Sequence, residues 1–427
     1  MWGRQREASM MYKRTSSRDR SSTFDVEETT ALVQNGTEVE NTNPSWKLSF
    51  PHVLVATLSS FLFGYHLGVV NEPLESISLD LGFNGNTLAE GLVVSMCLGG
   101  AFIGSTLSGW IADGVGRRRA FQLCALPMII GASISATTRN LIGMLLGRFV
   151  VGTGMGLGPT VAALYVTESP HWLYKKGRTA EAEAEFEKLL GGSHVKSSLA
   201  ELSKLDRGDD GDIVKFEELL YGRHFRVVFI GSTLFALQQL SGINAIFYFS
   251  SSVFKSAGLS SGLANVFVGI ANLLGSVVAM VLMDKLGRKA LLQWSFFSMA
   301  VSMAIQVAAS SSYIPGSASL YLSVGGMLMF VLTFALGAGP VPSLLLPEIF
   351  PSRIRAKAMA VCMSVHWVIN FFVGLLFLRL LEQLGPQLLY SIFGTFCLMA
   401  VAFVKRNVVE TKGKSLQEIE IALLPQE

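Results

Sequence analysis

The sequence predicts an all-α membrane fold of about ten transmembrane helices in two bundles, four followed by six. Three observations predict it. Half of the 427 residues are apolar and only 15% are charged, with a mean hydropathy of +0.46, whereas about a quarter of a soluble globular chain is charged. Cations gather in short loops between apolar runs rather than along a face. One long polar stretch, residues 167–223, divides the apolar runs. A net charge of +3, dispersed in this way, excludes a nucleic-acid binder.

Residues 1–47 form a polar tail, read either as a disordered cytosolic segment or as a transit-like one. "KRTSSRDRSS" fits the second reading and the following "DVEE" weakens it. "NGT" at Asn35 fits a glycosylation acceptor that a cytosolic tail would leave unused. A spanning helix needs about 20 mostly apolar residues. Ten runs qualify, near 51–70, 88–112, 120–138, 141–166, 225–254, 263–283, 290–310, 319–346, 358–380 and 386–404. The domains that follow are an N-terminal bundle over 48–166, a helical linker over 167–223, a C-terminal bundle over 224–404 and a tail over 405–427. "GRRR", "KKGR", "DKLGRK", "SRIRAK" and the "KR" at 405 all follow even-numbered spans, so both termini are expected in the cytosol. In the linker, "RTAEAEAEFEKLLGG" reads as a helix closed by its Gly pair. Cys97, Cys124, Cys362 and Cys397 lie in or against apolar runs, which encodes neither a disulfide framework nor a zinc site.

"DGVGRRR" (Asp113 to Arg119) and "DKLGRK" (Asp284 to Lys289) repeat an acid, a Gly and cations after the second span of each bundle. Gly116 and Gly287 would let two helix ends approach, while the acid pairs with a cation or faces a helix N-terminus. Simple positive-inside decoration is the alternative for either copy alone. Two copies at matched places point to an internal repeat.

These pieces, together with "GRFVVGTGMG", "ESPHWL", "QQLSGINAIFYFS", "GAGPVPSLLLPEIFPSRIRAK" and "ETKGKSLQEIE", resemble the sugar porter family of the major facilitator superfamily over nearly everything after residue 47. "FGYHLGVVNEPLE" and "VHWVINFFVGLLFL" are similar to its plastidic glucose transporter branch in plants. The resemblance implies twelve helices, a hexose substrate, no cofactor and a plastid envelope, with the Golgi or another endomembrane as the alternative. Asp113 and Glu168 are 55 residues apart, whereas their second-half equivalents Asp284 and Glu410 are 126 apart. The first half is thus 71 residues short, enough for two spans and their loops. Helices five and six are expected to be missing, with Thr167 joined directly to Glu168.

A reversible hexose site needs neutral donors and acceptors beside an apolar face. Gln238, Gln239 and Asn244 in "QQLSGIN" supply amides at membrane depth, to line a pore or to glue helices together. On an ideal helix Gln238 and Asn244 point about 120° apart, so unwinding at Gly242 is expected to bring them together. The resemblance adds Asn272, Trp367 and Asn370 as sugar contacts. It also assigns Asp113, Arg117, Arg148, Glu168, Asp284, Arg288, Glu348, Arg355 and Glu410 to gating or cytosolic motifs. Pro340 and Pro342 break a helix where a gate must bend. The chain departs from the family pattern at Ala335, Ser343 and His366, where many relatives carry Glu, Trp and Asn.

Proton-linked members carry an Asp where this chain has His66, beside the helix-four Arg148. The missing carboxylate favours downhill facilitation over symport. "GTGMGLG" at 152–158 lies within a span and reads as helix packing rather than a phosphate loop. No paired carboxylates, activated nucleophile or metal set appears, so an enzyme is not expected. The competing reading is a transport-inactive form that associates with itself or with a full-length transporter, because losing two helices exposes polar surface to lipid.

Overall fold

In the computed structural model the described residues are 46–157, 168, 170–208, 222, 224–256, 261–311, 313–414 and 418–419. The expected N-terminal tail, the 158–166 end of the fourth span and part of the linker, Thr167 included, lie outside them, as do the side chains of Asp113 and Arg117. The helices are α1 (Trp46–Gly68), α2 (Leu74–Asp80), α3 (Thr87–Val115), α4 (Arg117–Thr137) and α5 (Leu141–Leu157). The linker contributes α6 (Pro170–Lys175), α7 (Thr179–Leu190) and α8 (Val195–Gly208). The second half contains α9 (Phe225–Leu240), α10 (Ile243–Ser256), α11 (Ser261–Leu286), α12 (Arg288–Ala309), α13 (Gly316–Thr333), α14 (Pro340–Ile349) and α15 (Ser352–Asn407).

Seven helical stretches among the described residues are long and apolar enough to cross a membrane, and α5 is a shorter apolar helix. One of the seven runs for 51 residues within α15, more than twice what a hydrocarbon core requires. α15 is two arms, 352–384 and 386–407, meeting at Gly385, whose φ of 75° and ψ of 163° interrupt the helix just before Pro386. The expected ninth and tenth spans are these arms.

The first bundle is held by backbone contact rather than bulk. A Cβ on Gly152 or Gly156 of α5 would collide with the carbonyls of Cys97 and Ala101 on α3, and one on Gly154 with Met128 of α4. The glycines of "GTGMGLG" therefore serve close helix crossing, as the sequence reading expects. In the linker, Gly191 at φ 86° ends α7, and Ala182 and Phe186, one turn apart, form its buried face.

Two interruptions shape the second half. Gly242, at φ 85°, separates α9 from α10; a Cβ there would sit 2.6 Å from the Phe393 ring. Between α13 and α14 the chain makes a π turn over Phe334–Ala338, closed by the Gly339 N–H donating to Phe334 O at 2.8 Å. Ser295 of α12 spans this turn, its hydroxyl donating to Thr333 O at 2.7 Å and accepting the Ala338 N–H at 2.8 Å. The bend expected from Pro340 and Pro342 is thus preceded by a widened turn, a form common at functional sites.

Candidate substrate site and gates

Unwinding at Gly242 places Asn244 back against α9, where its Nδ2 donates to Gln239 Oε1. Gln239 Nε2 donates to Gln238 Oε1 at 3.3 Å and lies 3.0 Å from His366 Nδ1. Gln238 Nε2 donates to Ala338 O at 2.6 Å and to Gly339 O at 3.3 Å, where the π turn meets α14. The three amides expected from the sequence are therefore one connected set, and His366, expected only as a departure from the family pattern, belongs to it.

On the facing arm of α15, Asn370 Oδ1 accepts the Tyr248 hydroxyl at 3.2 Å. Trp367, three residues earlier, is 5% exposed and packs on Phe63 of α1, with ring centroids 6.0 Å apart. Its Nε1 is among the described buried polar atoms without a hydrogen-bond partner, as is Ser95 Oγ on α3. Asn272 lies on α11; no hydrogen bond among the described residues joins its side chain to this set. The site as a whole is uncharged, with amide, indole and imidazole groups set among aromatic rings.

Arg148 is 3% exposed. Its Nε donates to Val93 O at 3.2 Å and its Nη1 to His66 O at 3.1 Å. The sequence reading sets the His66 ring beside this cation, but the hydrogen bond runs to the His66 carbonyl at the end of α1. The guanidinium thus caps α1 and ties it to α3, a favourable place for a cation.

At the end bearing the basic loops, Glu410 accepts the backbone N–H groups of Arg288 at 2.8 Å and Lys289 at 3.0 Å. Glu168 accepts the Arg118 N–H at 3.2 and 3.3 Å, one distance to each carboxylate oxygen. Gly116 (φ 92°) and Gly287 (φ 88°) precede α4 and α12, and a Cβ on either would strike Glu168 or Glu410, so the two halves repeat one construction. Arg288 also reaches Glu348 at 3.2 Å and Asp284 at 4.0 Å. The other Glu348 oxygen takes the Thr411 hydroxyl at 2.6 Å, and Arg355 Nε donates to Phe350 O at 3.3 Å. Burial alone would raise the Glu410 carboxyl; the N–H groups of Lys412, Arg288, Lys289 and Thr411 outweigh it and hold the group below its ordinary value.

The opposite end carries a latch that the sequence reading missed. Asn71 Nδ2 donates to Ser250 Oγ at 2.7 Å, the Ser251 hydroxyl to Glu72 Oε2 at 2.6 Å and Asn265 Nδ2 to the same oxygen at 2.8 Å. These bonds join the α1–α2 corner to α10 and α11, across the two halves. The only prior signal was a polar run, "NEPLE", directly after an apolar span.

A family profile described as "Sugar (and other) transporter" matches residues 52–169 and 160–423. The chain is 66% identical over 490 aligned positions to the probable plastidic glucose transporter 2 of Arabidopsis thaliana, covering 99% of each. It is 39% identical over 436 positions to plastidic glucose transporter 4 of the same plant, covering 87% of this chain and 80% of that one. Among solved structures, the proton:xylose symporter XylE bound to 6-bromo-6-deoxy-D-glucose superposes with a TM-score of 0.73 at 26% identity, covering 88% of this chain and 99% of that one. The inward open xylose transporter XylE from E. coli gives a TM-score of 0.72 at 26% identity, covering 88% and 100%. With its helical spans, its repeated glutamate clasps and these relatives, the chain belongs to the sugar porter family of the major facilitator superfamily and is a membrane protein of sugar transport, not an enzyme.

Proposed function

We propose that the chain carries a hexose, glucose or a close analogue, by facilitative uniport, alternating access around the set formed by Gln238, Gln239, Asn244, Trp367 and Asn370. The observation that carries this reading is the Trp367 indole N–H, buried without an acceptor in the fold and packed on the His366 ring that joins the amide set. Such a donor at membrane depth is costly unless something accepts it, and a sugar hydroxyl does so without bringing a charge. Asn272 is proposed as a further contact, recruited when α11 moves. His66 stands where proton-linked members of the family carry the coupling carboxylate, which supports uniport over symport. The plastidic relatives support a plastid envelope, with both termini on the basic, cytosolic side. The division into an N-terminal bundle, a linker and a C-terminal bundle at residues 48–166, 167–223 and 224–404 fits the repeated clasps. Counterflow of radiolabelled glucose in proteoliposomes tests transport; sugar uptake that shifts external pH stoichiometrically would overturn the uniport.

A second reading, a transport-inactive form that pairs with a full-length relative, is favoured by one set of observations. The alignment of 490 positions exceeds the 427 residues of the chain by 63. The family match breaks into two segments that overlap at 160–169. Both support the loss of helices five and six at Thr167–Glu168. Correct insertion without counterflow, together with co-purification of a full-length relative, would establish this reading over the first.

A further inference from the structure

The amide set has a direction, and the direction starts at the broken helix. The carbonyls of Ala338 and Gly339 can only accept, so the Gln238 amide must turn its nitrogen to them and its oxygen to Gln239. That oxygen takes a hydrogen from Gln239 Nε2, so the second amide is fixed in turn, with its own oxygen receiving Asn244. Gln239 Nε2 is also the atom 3.0 Å from His366 Nδ1. An amide nitrogen has only hydrogens to offer, so Nδ1 must be bare.

We infer that His366 is a positioning residue at the end of a hydrogen-bond relay whose polarity is set at the broken helix: Ala338 and Gly339 accept from Gln238, Gln238 accepts from Gln239, and the same Gln239 nitrogen donates to His366. The relay locks the imidazole as the neutral tautomer with its hydrogen on Nε2. Two rings hold the plane of the imidazole: Phe235, one turn before Gln239, with centroids 5.2 Å apart at 77°, and Trp367, at 4.9 Å and 90°. The Nε2–H, on the ring edge away from Gln239, is left as a donor of fixed position next to the Trp367 indole. The relay also links the site to the gate. Movement of α14 about Gly339 and Pro340 takes away the carbonyls that set the polarity, and both amides and the ring are then free to reverse.

The role of the Nε2–H toward sugar rests on the hexose reading above; the tautomer does not. The test is nitrogen-15 NMR of the full chain in nanodiscs near neutral pH, with histidine labelled and the His366 signal identified by its loss in His366→Gln. The wild-type signal is expected to be that of a neutral ring protonated on Nε2; an Nδ1–H ring or an imidazolium overturns the inference outright. Gln238→Met, which removes the carbonyl anchor, is expected to convert this signal into a mixture of tautomers, and an unchanged signal overturns the relay. His366→Gln restores an acceptor for Gln239 and is expected to keep glucose affinity within about threefold, while His366→Leu loses about tenfold. Equal affinities in the two variants overturn the positioning role. Wild-type protein that binds no glucose but shows the expected tautomer would sink the hexose reading and leave the relay standing.

Discussion

Glu410 closes the first turn of α12 by accepting the backbone N–H of Arg288 at 2.8 Å, and it does so from a position 122 residues further along the chain. A carboxylate at a helix N-terminus meets unsatisfied N–H groups and the positive end of the helix dipole together. Glu410→Gln keeps an acceptor but removes the charge, and is expected to cost about 0.5–1 kcal/mol. The effect depends on pH in a defined direction. The folded-state carboxyl is held below 4.5, so its contribution is fully present above that value and is lost as pH falls below it. Thermal unfolding of the wild type and the variant should diverge near neutral pH and converge in acid.

Gly287 is the other half of this clasp. Its φ of 88° and ψ of 166° lie where essentially only glycine is comfortable, and a Cβ would stand 2.6 Å from Glu410 Oε2. Gly287→Ala is expected to destabilise by about 1–3 kcal/mol or to release Glu410. Gly114→Ala is the control, since a Cβ there meets nothing within 4 Å; in the last turn of α3 it should be neutral or gain up to about 0.5 kcal/mol. Equal unfolding temperatures for the two variants would contradict the clasp.

These contrasts indicate what was legible before the fold was known. Hydropathy placed the spans because lipid leaves a helix no other way to satisfy its backbone, and Gly242 marked the unwinding that unites Gln239 and Asn244. The repeated Asp, Gly and Arg strings located both clasps. Ser295 gave no sign: a serine inside an apolar helix looks alike whether it back-bonds to its own turn or, as here, spans a π turn in the next helix. Asn71, Ser250 and Asn265 were equally mute, because a latch between segments about 180 residues apart has no periodicity to betray it. His366 was visible as an unusual residue, but its partner Gln239 lies 127 residues away.

The latch makes a prediction of its own. Asn71→Ala removes the bonds to Ser250 Oγ and the Ser251 N–H, each worth about 1 kcal/mol net. The population open at that end should rise accordingly. Spin labels placed on α2 and α11 would read this as a longer distance distribution; no change would show that the latch does not hold the closed form.

Trp367 separates binding from stability. Trp367→Phe keeps an aromatic face against Phe63 but deletes the N–H that has no partner in the fold. Losing that donor should weaken glucose binding by about 1 kcal/mol, or roughly fivefold. Thermal stability should hold or rise, because an unsatisfied buried donor has gone. Isothermal titration paired with thermal unfolding checks both, and a parallel loss of affinity and stability would show that the indole serves packing alone.

The junction at Thr167–Glu168 decides between transport and inactivity. Glu168 meets the Arg118 N–H at the N-terminus of α4, so the clasp at the basic end is complete in the 427-residue chain. The cavity wall is a separate matter, because polar groups facing lipid rather than protein are costly. If helices five and six are missing at Thr167–Glu168, inserting the two corresponding spans of a twelve-helix sugar porter there should raise both unfolding temperature and glucose counterflow. The inserted protein and the 427-residue chain should share the same His366 tautomer and the same Glu410 acid response, because those features lie wholly in the second half. Counterflow that is equal with and without the insert would mean that the second bundle and four helices suffice to carry sugar.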